Sequence, residues 1–149
     1  MRRIMQKSDI AKENFLSGLA CSQAVALAFK DELNIDENTL KNLALGFGGG
    51  FARQRLVCGA VSGMTMVISA LTAEGKTKPE VYKILQDAYA EVKEELGSII
   101  CADLLGVTPP TKTFGTPEER TPEYYKKRPC AEICEICAKI AEKYVNLYK

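Results

Sequence analysis

The apolar stretch from Leu56 to Leu71 constrains the fold of this chain more than any other segment. It is sixteen residues long, which is short of the roughly 20 residues that an apolar helix needs to span a bilayer. It also contains small residues, including Gly59 and Gly63, on a face that lets a neighbouring helix approach closely. The stretch therefore predicts a buried core helix and no insertion into a membrane.

Helical spacing of apolar residues recurs on both sides of this stretch, and no alternating strand pattern of useful length appears. The clearest helix runs from Pro79 to just before Gly97, because proline favours the start of a helix and glycine its end. Asp36 is typical of a residue that caps a helix start, and another helix begins near Pro129. The proline-rich segment 107–128, which precedes this last helix, predicts a surface loop or flap. These patterns predict an all-α protein.

The length and the charge narrow the class of protein. The chain has 149 residues, so we expect residues 1–149 to form a single domain, a compact bundle of about five to seven helices. Twenty basic and 19 acidic residues give a net charge of +1, which offers no field to attract nucleic acid. The basic N-terminus is followed by charged residues rather than an apolar stretch, so we expect a cytoplasmic protein without a secretory signal.

A glycine-rich loop is predicted directly before the core helix. Gly48, Gly49 and Gly50 make the backbone permissive there. The loop lacks the Gly-Lys-Ser/Thr ending of a phosphate-binding loop and follows no strand, which disfavours nucleotide binding. We expect instead that these three glycines, together with Gly59, allow close backbone approach to a cofactor or substrate site around Cys58.

The chain contains six cysteines and no histidine, so any catalysis must depend on sulfur. In a reducing cytosol, such cysteines are reactive, metal-binding or simply buried, rather than joined in permanent disulfides. Four of them are predicted near helix starts, where partial positive charge favours the thiolate. These four candidate site residues are Cys21, Cys58, Cys101 and Cys130.

Cys58 is expected to be the most activated thiol, because it combines a helix start with nearby arginines. Arg53 and Arg55 are either ordinary solvated charges, or one of them faces a thiolate or an anionic substrate. The remaining cysteines, Cys134 and Cys137, fall on an apolar helix face, so we expect them in the core.

Several segments follow one another in a recognisable order. They are Cys21-Ser22-Gln23-Ala24-Val25, the Gly46–Gly50 run with Arg53, Cys58-Gly59-Ala60-Val61-Ser62-Gly63, the stretch from Gly97 to Gly106, and Cys130. Together they resemble the C_GCAxxG_C_C family of redox-active proteins, which is named for its cysteine pattern. The resemblance implies four key cysteines, Cys21, Cys58, Cys101 and Cys130, and a redox role. It also implies a bacterial or archaeal setting, often near transporter genes.

Three hypotheses for the function follow. In the first, the protein is a thiol–disulfide oxidoreductase in which Cys58 attacks an unidentified redox partner or small-molecule substrate, and Cys21, Cys101 or Cys130 resolves the mixed disulfide. In the second, these four cysteines hold an iron–sulfur cluster or zinc. In the third, the protein is a metal-free interaction partner of a transporter. The sequence leaves the oligomeric state open. A homodimer is one alternative, because small helical domains with a glycine-faced helix often pair.

Overall fold

The computed structural model describes residues 5–107, 120–122 and 129–149, and the predicted all-α fold is confirmed. No strand occurs in these residues apart from one isolated bridge between Val57 and Ile100. Six of the described helices have seven or more residues. Most of the predicted loop 107–128 lies outside the described residues.

The helix bounds follow the sequence signals closely. The helical region that begins at Cys21 is interrupted at Phe29, where the backbone leaves helical geometry (φ −110°, ψ 17°). The short helix before Gly106 begins at Cys101, since Ser98 caps the preceding turn rather than the helix itself. The right-handed helices are α1 (Lys7–Leu16), α2 (Cys21–Ala28), α3 (Lys30–Leu33), α4 (Glu37–Leu45), α5 (Gly59–Thr72), α6 (Lys78–Leu96), α7 (Cys101–Leu105) and α8 (Cys130–Tyr148).

The centre of the bundle is formed by α2, α5 and α8. Helix α2 packs against α1, α4 and α5, while α8 packs against α1, α2, α5 and α6. Met64, Val67 and Ile68 of α5 are fully buried, so this helix is the predicted core helix. No helix among the described residues is long and apolar enough to cross a membrane.

Helices α2 and α5 approach each other across the predicted glycine face. A Cβ atom on Gly63 would lie 2.8 Å from the carbonyl oxygen of Ser22 and 3.0 Å from Cβ of Val25. A Cβ atom on Gly59 would lie 2.6 Å from Sγ of Cys21. These glycines therefore bring the start of α2 against the start of α5.

The glycine-rich segment Gly48–Phe51 forms a turn of unusual handedness. Five consecutive residues, from Gly49 to Arg53, have φ between 50° and 72°, and Arg55 has φ 60°. This left-handed region costs an L-residue with a side chain roughly 1–2 kcal/mol, so the non-glycine residues of the turn are strained. The surrounding helices must hold the turn in place.

Candidate functional site

All four predicted site cysteines line one partly enclosed cavity of about 420 Å³. Three of them are nearly inaccessible, with exposed fractions of 9% for Cys21, 6% for Cys58 and 7% for Cys101, whereas Cys130 is half-buried. The lining also contains Arg53, Arg55, Gly48 and Gly49, together with Phe15, Ala20, Leu45, Gly46, Ala52, Leu104, Leu105, Arg120 and Ile133.

The four cysteines reach the cavity because each stands where a helix begins, as the sequence predicted. Cys21, Cys101 and Cys130 are the first residues of α2, α7 and α8, and Cys58 is the N-terminal cap of α5. The positive end of each helix dipole therefore faces the cavity, most strongly for the longer helices.

Backbone pairing fixes the starts of α5 and α7 side by side. The N–H group of Cys58 donates to the carbonyl of Ile99 at 2.8 Å, and that of Cys101 donates to the carbonyl of Leu56 at 2.6 Å. Cys101 also packs against the glycine turn, since a Cβ atom on Gly50 would lie 2.8 Å from its own Cβ. These contacts place Cys58 and Cys101 on the same end of the bundle.

Cys21 and Cys58 form a hydrogen-bonded pair of thiols. The Cys58 thiol donates to the sulfur of Cys21, and backbone N–H groups of Gly49, Ser22 and Ala60 donate to that sulfur as well. Together these bonds lower the pKa of Cys21 from 9.0 to about 6, although burial acts in the opposite direction. The arrangement therefore favours a single thiolate in the pair, on Cys21.

The sequence predicted the activated thiol at Cys58, and the structure differs on this point. The hydrogen bond to Cys21, followed by burial, raises the pKa of Cys58 well above its ordinary value of 9.0. The difference arises because the glycine turn and the starts of α2 and α5 all direct N–H groups at Cys21. Cys58 thus acts as the donor in the pair.

Arg53 and Arg55 are both buried, with exposed fractions of 9% and 4%, so neither is an ordinary solvated charge. Nη1 of Arg55 donates to Sγ of Cys101 at 3.5 Å. A guanidinium beside a thiol favours the thiolate. Of the two interpretations left open by the sequence, the structure favours an arginine that faces sulfur, although the sulfur is that of Cys101.

A third arginine at the cavity was not anticipated. Arg120 donates from Nη1 to the carbonyl of Phe15 at 3.3 Å and from Nη2 to the carbonyl of Leu19 at 3.0 Å. Its guanidinium also stacks on the Phe15 ring, 4.5 Å from the centroid. No local signal in the sequence distinguishes this residue from the other charges of segment 107–128.

Cys134 and Cys137 lie in the hydrophobic core, as predicted, and both are fully buried. Burial raises the pKa of each thiol, so both are neutral thiols at physiological pH. Sγ of Cys134 approaches the carbonyl oxygen of Cys21 at 3.8 Å and thereby packs α8 against the start of α2.

All six cysteines lie among the described residues, and none of them is joined in a disulfide. Within residues 5–107, 120–122 and 129–149, no group of three or more His, Cys, Asp or Glu side chains is placed to hold a metal ion. What the cavity does contain is a hydrogen-bonded dithiol and three buried or half-buried arginines.

The fold and the site define a class of helical proteins with several cysteines around one cavity. The chain belongs to the family described as "Putative redox-active protein (C_GCAxxG_C_C)", whose model matches residues 19–144. This match includes all four cysteines that line the cavity and confirms the resemblance found in the sequence. No curated protein and no solved structure matched the chain significantly.

Proposed function

We propose that this protein is a thiol–disulfide oxidoreductase in which Cys21 and Cys58 are the reversible dithiol pair. One observation carries the proposal, namely the hydrogen bond from the Cys58 thiol to the Cys21 sulfur at the wall of a cavity. A thiolate is the nucleophile in thiol–disulfide exchange, and an optimal attacking thiol has a pKa near the ambient pH. A second thiol already in contact is placed to resolve the mixed disulfide.

The exchange proceeds in two steps, the formation of a mixed disulfide and its resolution by the second thiol. The Cys21 thiolate attacks one sulfur of a substrate disulfide, which forms a mixed disulfide and releases the first substrate thiolate. The Cys58 thiol then gives up its proton to that thiolate and attacks the sulfur of Cys21. A Cys21–Cys58 disulfide forms, the second substrate half leaves as a thiolate, and the substrate has gained the two electrons that the dithiol lost.

The other predicted site residues support this exchange. Gly49 donates a backbone N–H group to the attacking sulfur, and the missing side chain of Gly59 leaves room for it. Cys101 and Cys130 add two thiols to the same cavity, to which the disulfide can pass by further exchange. Arg53, also at the cavity, adds positive charge that stabilises thiolates.

Stepwise oxidation tests this proposal directly. Protein purified without air should be titrated with a small oxidant, while free thiols are counted and the oxidised peptides are mapped by mass spectrometry. We expect two thiols to disappear together and the first linked peptides to be those of Cys21 and Cys58.

Matched variants make the test sharper. Cys21→Ser and Cys58→Ser should each abolish the first disulfide, whereas Cys137→Ala should retain it, because Cys137 lies in the core and does not line the cavity. The proposal is wrong if another pair forms first in the unmodified protein, or if both serine variants still lose two thiols together.

A zinc or iron–sulfur site is the second candidate. It is favoured by the four cysteines around one cavity, since four cysteine thiolates are the usual ligand set for either centre. The described side chains form no group of three or more ligands placed around one metal ion, so binding would require the cysteines to converge. Iron with acid-labile sulfide, or about one zinc per chain, in anaerobically purified protein would replace the dithiol mechanism.

A further inference from the structure

The cavity exposes its cysteines unequally. Of the six cysteines in the chain, five are buried and Cys130 is half-buried. Cys21 and Cys58, the dithiol pair, have exposed fractions of only 9% and 6%. A small disulfide can reach them through a cavity of about 420 Å³, but a disulfide on the surface of a folded protein brings two backbone segments with it. Cys130 is therefore the cavity thiol that another protein can contact first.

Cys130 also stands where a thiolate is favoured. It is the first residue of α8, which is 19 residues long. The N-terminus of a helix carries partial positive charge, which stabilises a negatively charged sulfur atom placed there. A thiolate is the attacking form in disulfide exchange, so the thiol most accessible to a partner is also placed to react.

Helix α8 connects Cys130 to the buried pair. Cys134 follows Cys130 by four residues, so the two lie one turn apart on one face of the helix, with about 5–6 Å between their Cβ atoms. Sγ of Cys134 lies 3.8 Å from the carbonyl oxygen of Cys21. Burial raises the pKa of Cys134, and negative charge on Cys21 or on Cys130 raises it further, which places both sulfur atoms within electrostatic reach of it. Cys130 thus lies about one turn beyond the contact between α8 and the start of α2.

Building on the dithiol function proposed above, we propose that Cys130 is the contact thiol for disulfides of other proteins and passes the oxidation inward to Cys21 and Cys58. The end of a helix opens more readily than its interior. The first turn of α8 can therefore bring Cys130 to Cys21 while Cys134 and the rest of the helix stay in the core.

The relay adds one exchange to the two described above. The Cys130 thiolate attacks one sulfur of the partner's disulfide, forms a mixed disulfide and releases the first partner thiolate. The Cys21 thiolate then attacks the Cys130 sulfur, which forms a Cys21–Cys130 disulfide and releases the second partner thiolate. That thiolate takes the proton of Cys58, and the Cys58 thiolate attacks Cys21, which closes the Cys21–Cys58 disulfide and regenerates the Cys130 thiolate. The partner has gained the two electrons that the buried pair lost.

Two probes of different size test the relay. The small one is bis(2-hydroxyethyl) disulfide. The large one is a folded carrier protein whose single surface cysteine holds 5-thio-2-nitrobenzoate in a mixed disulfide, so that its absorbance reports the first attack. Acid quenching and mass spectrometry then map the linked cysteines. In the unmodified protein we expect the carrier to be linked first to Cys130, and the Cys21–Cys58 disulfide to replace this adduct later.

Variants separate the contact with the carrier from the later exchanges. Cys130→Ser should slow oxidation of the buried pair by the carrier at least about tenfold, and its oxidation by the small disulfide less than about twofold, because only the carrier depends on an accessible thiol. In Cys21→Ser, the carrier adduct on Cys130 should persist longer than in the unmodified protein. Cys137→Ala is the matched control and should match the unmodified protein with both probes, because Cys137 is fully buried and does not line the cavity.

The outcomes separate the relay from the function on which it rests. A first adduct on any cysteine other than Cys130, or a carrier reaction that Cys130→Ser leaves unchanged, would overturn the relay and leave the dithiol function intact. The mapping of the first adduct needs no variant, so it decides the matter even if a variant does not fold. Failure of the small disulfide to link Cys21 to Cys58 would overturn both.

Discussion

Replacing Gly59 with alanine changes the site by a single methyl group. The new Cβ would lie 2.6 Å from Sγ of Cys21, 3.0 Å from the carbonyl oxygen of Phe47 and 3.2 Å from the amide nitrogen of Ser22. Non-bonded carbon contacts are normally about 3.5–4.0 Å, so the sulfur must move by about 1 Å. Two of the three atoms belong to backbone, which leaves little freedom to relax elsewhere.

Two effects should follow from this displacement. Overpacking of this kind lowers the free energy of unfolding by about 1–3 kcal/mol, and the better helix propensity of alanine offsets up to about 1 kcal/mol of that loss. A sulfur displaced by about 1 Å also loses part of its hydrogen bonding to the Cys58 thiol and to the N–H groups around it. The pKa of Cys21 should therefore rise from about 6 toward its ordinary value of 9.0.

Urea unfolding measures the first effect, and the pH dependence of thiolate absorbance measures the second. Gly46→Ala is the matched control, because Gly46 lines the same cavity, has φ −64°, and offers a new Cβ no atom within 4 Å. We expect the control to match the unmodified protein in both assays. A Gly59→Ala protein with unchanged stability and an unchanged Cys21 titration would refute the tight approach of α2 to α5.

Four further outcomes are expected. The rate of alkylation of Cys21 should increase with pH around a midpoint near 6. Cys58→Ala should move this midpoint upward, because it removes the thiol that donates to Cys21. A midpoint near 9 in the unmodified protein would contradict the pairing of the two thiols. Because this pKa is lower in the folded state, the stability contributed by the thiolate is present above the ordinary value of 9.0 and is lost as pH falls through about 6, which urea midpoints can follow. Ser22→Ala should lower the free energy of unfolding by about 1–2 kcal/mol, because its buried hydroxyl donates to a carbonyl of α4 at 2.7 Å; an unchanged urea midpoint would exclude this bond. Gly50→Ala should lower the free energy of unfolding, measured in urea, by more than Gly97→Ala does. Both glycines have positive φ, but only at Gly50 would the new Cβ lie against the backbone, 2.6 Å from the amide nitrogen of Leu56. Equal losses of stability in the two variants would show that φ alone matters.

The helices could be predicted because their ends are marked by residues with a local physical effect. Asp36 caps α4 by accepting the N–H group of Thr39 at 2.9 Å, and Gly97 ends α6 with φ 90°. The break at Phe29 could not be predicted in the same way. Neither glycine nor proline stands at Phe29, and the charged residues Lys30, Asp31 and Glu32 that follow it are themselves helical in α3, so no local helix breaker marks where α2 stops.

The sequence predicted which cysteines stand at helix starts, but not how these residues interact in the site. Placing a cysteine at a helix start is a local property, and all four of these predictions are confirmed. Which thiol carries the charge depends on how three separate backbone segments converge on Cys21, and this convergence is set by packing far apart in the sequence. The position of Arg120 depends likewise on two carbonyls about one hundred residues away along the chain.

The strain in the glycine turn is tied to the site rather than spread through the fold. Phe51, Ala52, Arg53 and Arg55 all have positive φ, at a cost of about 1–2 kcal/mol each in regular left-handed geometry. A turn needed only to connect α4 to α5 would form at lower cost with right-handed or extended residues. This conformation lets the amide of Gly49 donate to Cys21 and the side chain of Arg55 donate to Cys101. The chain therefore maintains a strained turn where it brings a hydrogen-bond donor to each of two cavity thiols.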